Sequence, residues 1–272
     1  MGKENIEITN INKGRVLCVG DVHGGLLGLK QVLSRANVTF NDTLIFLGDY
    51  VDGWGDSAAL IDYLMGLDKT HYCIFLRGNH DWWFEDFMKF SAPSHDWMTH
   101  GGVTTRKSYR EYGLTGEGSD QHEYDKHKLF FHRMHTHYID EQNRLFIHGG
   151  FTSYQGVRGE SDITRVYWDR SLYETAVVIA RQCKSKYELE RRKPNLLKLY
   201  SEIFVGHTTT MLIGEREPVN AYNLWNLDTG AGTNGKLTIM DVDTKEFWQS
   251  DLLRDLYPDD IHLEFCNKFL SD

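Results

Sequence analysis

Three short apolar runs in the first third of the chain end on the same kind of residue. Residues 15–21 read RVLCVGD, residues 43–49 read TLIFLGD, and residues 72–78 read YCIFLRG, leading straight into Asn79-His80-Asp81. Runs of this length, rich in Val, Ile and Phe, predict buried strands. Between them, 26–33 and 57–65 carry apolar residues spaced for one face of a helix. Strands alternating with helices predict a βαβ arrangement and an α/β fold. Two later runs, 144–150 (RLFIHGG) and 202–207 (EIFVGH), each deliver a histidine at the C-terminal end. Asp21, His23, Asp49, Asn79, His148 and His207 therefore all lie at, or within two residues of, the end of a strand-like run. Strand ends in open α/β sheets converge on one crevice. A single Gly-Asp at such an end is most often a turn, but six oxygen or nitrogen donors in that position predict a common site.

The remaining segments are less regular. From about 82 to 143 the chain is rich in Trp, His, Tyr and Phe, and 125–138 reads as a helix. The tail carries strand-like runs at 223–227, 236–242 and 246–249, separated by Gly- and Asp-rich turns that predict hairpins. No repeat of fixed period is present.

Bulk properties narrow the partners. The formal net charge is −9, which argues against a protein that tracks a nucleic-acid backbone with a basic stripe. An acidic exterior is compatible with an anionic substrate, because metals and arginines can reverse the field inside a cleft. Cys18, Cys73, Cys183 and Cys266 form no CxxC pair and suggest no disulfide framework; Cys18 and Cys73 sit in strand-like runs and predict buried free thiols. The first residues, MGKENIEITNINKG, hold no apolar secretion core, and Ile6 stands where a myristoylation signal wants Ser or Thr. No apolar run reaches membrane-spanning length. A cytoplasmic location without membrane association is the expectation.

Asp, Asn and His without thiolate suit hard or borderline divalent ions such as Mn, Fe or Zn. Six donors exceed the four that satisfy a structural zinc site. They suit two ions sharing a carboxylate, and such pairs, about 3.5–4 Å apart, can orient an attacking water and clamp a phosphoryl group.

Gly20-Asp21-Val22-His23-Gly24, Gly48-Asp49-Tyr50-Val51-Asp52-Gly53, Gly78-Asn79-His80-Asp81, His148-Gly149-Gly150 and Gly206-His207-Thr208 together resemble the five blocks of the calcineurin-like metallophosphoesterases. The likeness is greatest to the branch of Ser/Thr protein phosphatases, bacterial and phage protein phosphatases and symmetrical diadenosine tetraphosphate hydrolases. It extends through Asn226-Leu227-Asp228-Thr229-Gly230 and so covers nearly the whole chain. The resemblance implies one metallophosphoesterase domain over 1–272, with specificity carried by the aromatic segment at about 82–143. The implied fold is a four-layer α/β/β/α sandwich of two mixed sheets flanked by helices, which replaces the single wound sheet that the runs alone suggest. It also implies two divalent ions, Mn first, with Fe, Zn or Ni as alternatives. Asp21 and His23 would hold one, Asn79, His148 and His207 the other, and Asp49 would bridge them. A metal-bridging hydroxide would attack phosphorus in line, with His80 as general acid oriented by Asp52. The expected substrate is a phosphoprotein, on Ser or Thr or also Tyr. The alternatives are a dinucleoside polyphosphate or small phosphorylated metabolite, and, in another class, a catalytically inactive metal-binding interaction module.

Two departures from the family pattern bear on substrate. The second block usually ends Asp-Arg-Gly, whereas here Gly53 takes the place of the phosphate-clamping arginine. Arg170, in Tyr167-Trp168-Asp169-Arg170, and with less weight Arg77 are the candidates to bind phosphate instead. The last block reads Gly-His-Thr-Thr rather than Gly-His-x-His, which removes one further ligand and lowers nuclease and phosphodiesterase alternatives. Trp97, Gly101, Gly102, Thr105, Ser108 and Tyr109 resemble a stretch of the bacterial branch and point to packing. Trp54, Trp82 and Trp83 are candidate specificity residues that could stack on a base or phenyl ring. His135 and His137 lack partners at strand ends and predict surface or packing roles.

Overall fold

A computed structural model describes residues 14–263, so the N-terminal segment and Cys266 lie outside the described residues. The three early runs form β1 (Val16–Val19), β2 (Thr43–Phe46) and β3 (Tyr72–Phe75), parallel and adjacent. The helices between and after them are α1 (Leu26–Arg35), α2 (Ser57–Leu67) and α3 (Asn79–Phe90). The later strands are β4 (His137–Ile139), β5 (Arg144–Ile147), β6 (Glu202–Val205), β7 (Val219–Ala221), β8 (Leu224–Asn226), β9 (Thr238–Asp241) and β10 (Phe247–Gln249). They complete two sheets, ordered β10-β9-β1-β2-β3 and β4-β5-β6-β8-β7. Both are mixed: β9 runs antiparallel to β1, while β4 and β7 run antiparallel to β5 and β8.

Alternation along each strand explains the layers. Leu17, Val19, Leu44 and Phe46 pack outward against Leu29, Val32, Ile61 and Leu64 of α1 and α2. The intervening Cys18 and Ile45 point the other way and meet Phe146 and Phe204 of the second sheet. Leu145, Ile147, Ile203 and Val205 alternate with those phenylalanines and pack under the helix Ser171–Gln182 through Leu172 and Ala176. Successive side chains on a strand face opposite ways, so strands covered on both faces must read as unbroken apolar runs. The result is helix, sheet, sheet, helix, with Phe146 and Phe204 stacked at 4.9 Å between the sheets. Among the described residues no helix is long and apolar enough to cross a membrane.

The helix expected over 125–138 is shorter and earlier, Gln121–His132. The following residues are captured by the open edge of β3: His135 N–H donates to Phe75 O and Arg77 N–H donates to His135 O, both at 2.9 Å. An edge strand with unpaired backbone groups recruits a neighbour, and the chain goes on into β4. Cys18 is buried, Cys73 is half-buried, and both are free thiols.

Candidate active site

All six donors are gathered where the two sheets meet, and the loops that carry them are held in uncommon backbone conformations. His23, Asp49, Asp52 and His207 all have positive φ, between 47° and 66°. A non-glycine residue there costs on the order of 1–3 kcal/mol and persists only where its surroundings compel it. Here hydrogen bonds supply the compulsion. The buried Asp81 carboxylate accepts the N–H groups of Gly78, Asp49 and Tyr50 at 2.7–2.8 Å. His207 N–H donates to Asp21 Oδ2 at 3.0 Å, and His80 N–H donates to Asp49 Oδ1 at 3.0 Å. The glycines permit the close approaches: a Cβ on Gly206 would lie 2.0 Å from Asp21 Oδ1, and one on Gly78 2.0 Å from Asp49 Oδ1.

Two clusters result, His23–Asp49–His80 and Asp49–His148–His207, each with donor atoms within 4.8 Å of one another. Asp49 belongs to both. His23 Nδ1 faces only the carbonyls of Val51 and Asp52, at 3.1 and 3.2 Å, so it carries the proton and leaves the Nε2 lone pair toward Asp49, 3.7 Å away. His148 Nδ1 likewise donates to Leu47 O at 2.9 Å, which turns Nε2 toward Asn79 Oδ1 at 3.0 Å and Asp49 Oδ2 at 3.3 Å. His207 Nε2 donates to Trp168 O at 3.3 Å, leaving Nδ1 as its lone pair. Asp21 is buried, and its Oδ1 has no hydrogen-bond partner. A buried carboxylate oxygen without a donor is costly, and so is the lone pair of neutral His23 aimed at Asp49. Divalent cations relieve both, and this oxygen and nitrogen donor set fits them.

The electrostatics agree with a cation-binding centre. Burial opposes ionisation of Asp49, but His148 and His80 hold its carboxyl well below the usual range. Burial also opposes protonation of His148, yet Asp49 raises it to about 9. Burial lowers His23 to about 4, and burial together with His148 and Arg170 pushes His207 well down. Burial raises Asp228 to about 6; its charge in turn raises Asp21 further, after burial itself. Asp228 thus adds a further buried carboxylate beside Asp21 and Asp49. Only its place in the closing Asn-Leu-Asp-Thr-Gly segment hinted at it.

His80 and Asp52 form a hydrogen-bonded pair, Nδ1 to Oδ2, at 3.0 Å. Asp52 also accepts from Trp97 Nε1 at 2.7 Å and from Thr105 Oγ1 at 2.6 Å, while its own N–H donates to Thr105 Oγ1. Burial opposes the protonated form of His80, and Asp49 and Asp52 override it to raise the pKa. Trp97 and Thr105, taken from sequence as packing residues, therefore fix the orientation of this pair.

The remaining sequence expectations divide. Arg170 is exposed at the N-terminus of Ser171–Gln182, near enough to His207 to disfavour its protonation. Arg77 does not face the donors: it is mostly buried, donates to Phe131 O at 2.6 Å and pairs with Glu85 at 3.0 Å, which corrects its phosphate-binding assignment. Trp54 is also corrected. It is fully buried, donates from Nε1 to Ala231 O at 2.7 Å and stacks on Tyr257, so no substrate reaches it. Trp82 packs against the core beneath the second sheet rather than at the donors. Trp83 does lie at the site, its ring 5.3 Å from that of His80.

The calcineurin-like phosphoesterase family model matches residues 14–262. The chain belongs to this family. Its residues fit a dinuclear metal centre, and it is a metal-dependent hydrolase with the family's two-sheet fold. Bis(5′-nucleosyl)-tetraphosphatase PrpE (asymmetrical) of Oceanobacillus iheyensis is 25% identical over 246 residues, 84% of this chain and 89% of that protein. Among solved structures, a metallophosphoesterase from Sphaerobacter thermophilus superposes with a TM-score of 0.53 at 15% identity, covering 93% of this chain and 95% of its own. A protein serine/threonine phosphatase from Saccharomyces cerevisiae gives 0.52 at 14% identity, covering 88% and 80%. Likeness at this level extends to the fold alone.

Proposed function

We propose that the chain hydrolyses small phosphorylated nucleotides of the dinucleoside polyphosphate class, using two divalent ions, Mn first among Mn, Fe, Zn and Ni. The observation that carries the hydrolytic part is one buried carboxylate, Asp49, common to two donor clusters, with the His80–Asp52 pair beside it. Two ions bound there supply Lewis-acid activation of water and neutralise developing charge on phosphorus. Asp21 and His23 are proposed for one ion, Asn79, His148 and His207 for the other. The chain's own contribution is proton placement. With Nδ1 committed to Asp52, a protonated His80 presents Nε2–H, the atom that can donate to a leaving oxygen. Arg170, at the edge of the second cluster, is proposed to meet non-reacting phosphates.

The nucleotide class is supported by the curated relative, which shares most of its length with this chain. Phosphoprotein, the substrate expected from sequence, stands second because the relative matched over most of its length is named for a dinucleotide substrate. The test is a rate comparison on protein stripped of metal and reloaded with Mn²⁺. The substrates are diadenosine tetraphosphate, phosphoserine and phosphotyrosine peptides, and p-nitrophenyl phosphate. The dinucleotide is expected to give the highest kcat/KM. A peptide preference overturns the substrate assignment, and no turnover on any of them returns the chain to a metal-binding module.

A further inference from the structure

A continuous chain of aromatic side chains runs along the two donor clusters. Its neighbours, measured between ring centroids, are His23–His80 at 5.0 Å, His80–Trp83 at 5.3 Å, Trp83–Trp168 at 4.7 Å, Trp168–His207 at 6.1 Å and His207–His148 at 5.0 Å. Four members are imidazoles with a place in the proposed chemistry. Two are indoles, and they stand side by side along the rim between His80 and His207.

Local structure explains why the indoles are there. Trp83 follows His80 by three residues in α3, a spacing that puts both on one helical face. Trp168 ends the short helix Arg165–Trp168, and its carbonyl is fixed by His207 Nε2–H. The preceding Tyr167 is buried beside Arg77, itself tied to Glu85 of α3. Both indoles are thus mounted on rigid elements rather than on loose loops. Trp168 is 37% exposed and joins none of the apolar core clusters, so core packing does not account for it. Trp83 is half-buried, packs in part against the core of the first sheet, and has the exposed His100 ring at 5.6 Å.

We propose that Trp83 and Trp168 form a stacking subsite for the nucleobase of a nucleotide substrate, with Arg170 beside it for the phosphate chain. The inference rests on the nucleotide phosphohydrolase proposed above and names the part of the molecule that reads the base. The two rings meet edge to face, at 72°, so the part-exposed Trp168 offers a face to a purine or pyrimidine and Trp83 forms the wall beside it. A phosphoserine peptide has no ring to place there. Arg170 stands exposed two residues past Trp168, at the N-terminus of the helix Ser171–Gln182, so a ring-binding surface and a phosphate-binding charge adjoin.

The test compares two ligands that resist hydrolysis, adenosine 5′-(α,β-methylene)diphosphate and methylenediphosphonate, titrated calorimetrically into the Mn²⁺-loaded protein. They differ by the nucleoside alone. Wild type is expected to bind the nucleotide at least about five-fold more tightly, the low end of what stacking on one aromatic contributes. Trp168→Ala and Trp83→Ala should bring that ratio down toward one, and Trp168→Phe should keep most of it. Should an alanine variant fail to fold, Trp168→Leu fills the volume without an aromatic face and serves the same comparison. A wild-type ratio of one, or a ratio unchanged in folded Trp168→Leu or Trp168→Ala protein, overturns the subsite. If phenyl phosphate binding depends on the tryptophans while the nucleotide ratio stays at one, the wall serves a phosphotyrosine ring and the base assignment falls. The two proposals fail separately. A Trp-dependent ratio without dinucleotide turnover leaves the subsite standing and removes the activity; turnover with a ratio of one does the reverse.

Discussion

Replacing Asp52 by Asn isolates the charge behind His80 with little change of shape. Asp52 sits at φ 66°, a conformation Asn tolerates better than other residues. Its two oxygens have distinct duties. Oδ2 accepts from Trp97 Nε1 and His80 Nδ1, while Oδ1 accepts from Thr105 Oγ1. An asparagine that turned its NH₂ toward Trp97 and His80 would oppose two donors with donors. It will therefore keep its oxygen there and face Thr105 with the amide. The geometry of His80 survives, and the charge is lost.

The size of the effect follows from that difference. A hydrogen bond to a charged group is worth about 1.5–3 kcal/mol against about 1 for a neutral pair. The change thus removes on the order of 1–2 kcal/mol from the protonated, donating state of His80, or about 5- to 30-fold in rate for a step that needs its proton. That is only part of what general acid catalysis contributes, about 10²–10⁴, as expected when His80 keeps its place and loses only the charge behind it. The pH dependence has a definite sign. Asp49 and Asp52 hold His80 above its ordinary pKa against burial, so its proton is present at low pH and lost as pH rises through the raised value. Without the Asp52 charge that descending limb must move to lower pH. The assay is kcat/KM against pH for phosphate esters with good and poor leaving groups. The expected result is a large loss for poor leaving groups, a small one for good ones, and an alkaline limb displaced downward. An unmoved limb together with equal losses across the series would refute the assignment of His80 as acid.

Other perturbations address the metals and the core. Asp49→Asn takes the shared carboxylate from both clusters and should cut bound metal from two ions per chain to at most one, abolishing turnover; two ions by elemental analysis with normal turnover contradicts the bridge. Loading Mn²⁺ at a hundred times its Kd should stabilise the stripped protein by about 2.7 kcal/mol per site, or roughly 5–10 °C in Tm, and an unchanged Tm rules out a preformed centre. His148, raised to about 9 against burial by Asp49, is protonated in the metal-free protein at neutral pH. Binding must therefore release protons and tighten as pH rises, which calorimetry in buffers of different ionisation enthalpy will detect. Trp54→Ala, at a fully buried indole, should cost about 3–5 kcal/mol in urea unfolding without altering the preference among substrates; altered preference would return Trp54 to the site.

The donors were legible because a sheet covered on both faces must be built from unbroken apolar runs. The residue that ends such a run stands out, and strand ends in this class of fold face the same crevice. Residues that act from within other elements left weaker traces. Asp81 follows the Asn-His pair and reads as an ordinary helix-first-turn carboxylate, yet it holds three backbone N–H groups of the donor loops. Trp168 sits in a charged stretch with no periodicity, and only the fold brings it against Trp83. The tryptophans divide by depth, which composition does not encode. Trp54 follows the donor loop but turns inward to Ala231 O, whereas Trp83, on α3, keeps an edge at the site.

Gly53 shows how one departure in sequence can have a spatial cause. A Cβ at that position would lie 2.4 Å from His23 O and 2.7 Å from His23 Cβ. The loop is thus pressed against the backbone of a donor, and a long side chain cannot start there without displacing His23. On the facing side a Cβ at Gly232 would come within 2.9 Å of the His23 ring nitrogen Nε2, so that ring is confined from both directions. Tight seating of His23 and an arginine at this loop are mutually exclusive in this chain. The guanidinium proposed for phosphate, Arg170, instead approaches from the N-terminus of Ser171–Gln182. In the proposed subsite it would adjoin Trp168 rather than His80, with the non-reacting end of a substrate on the aromatic rim.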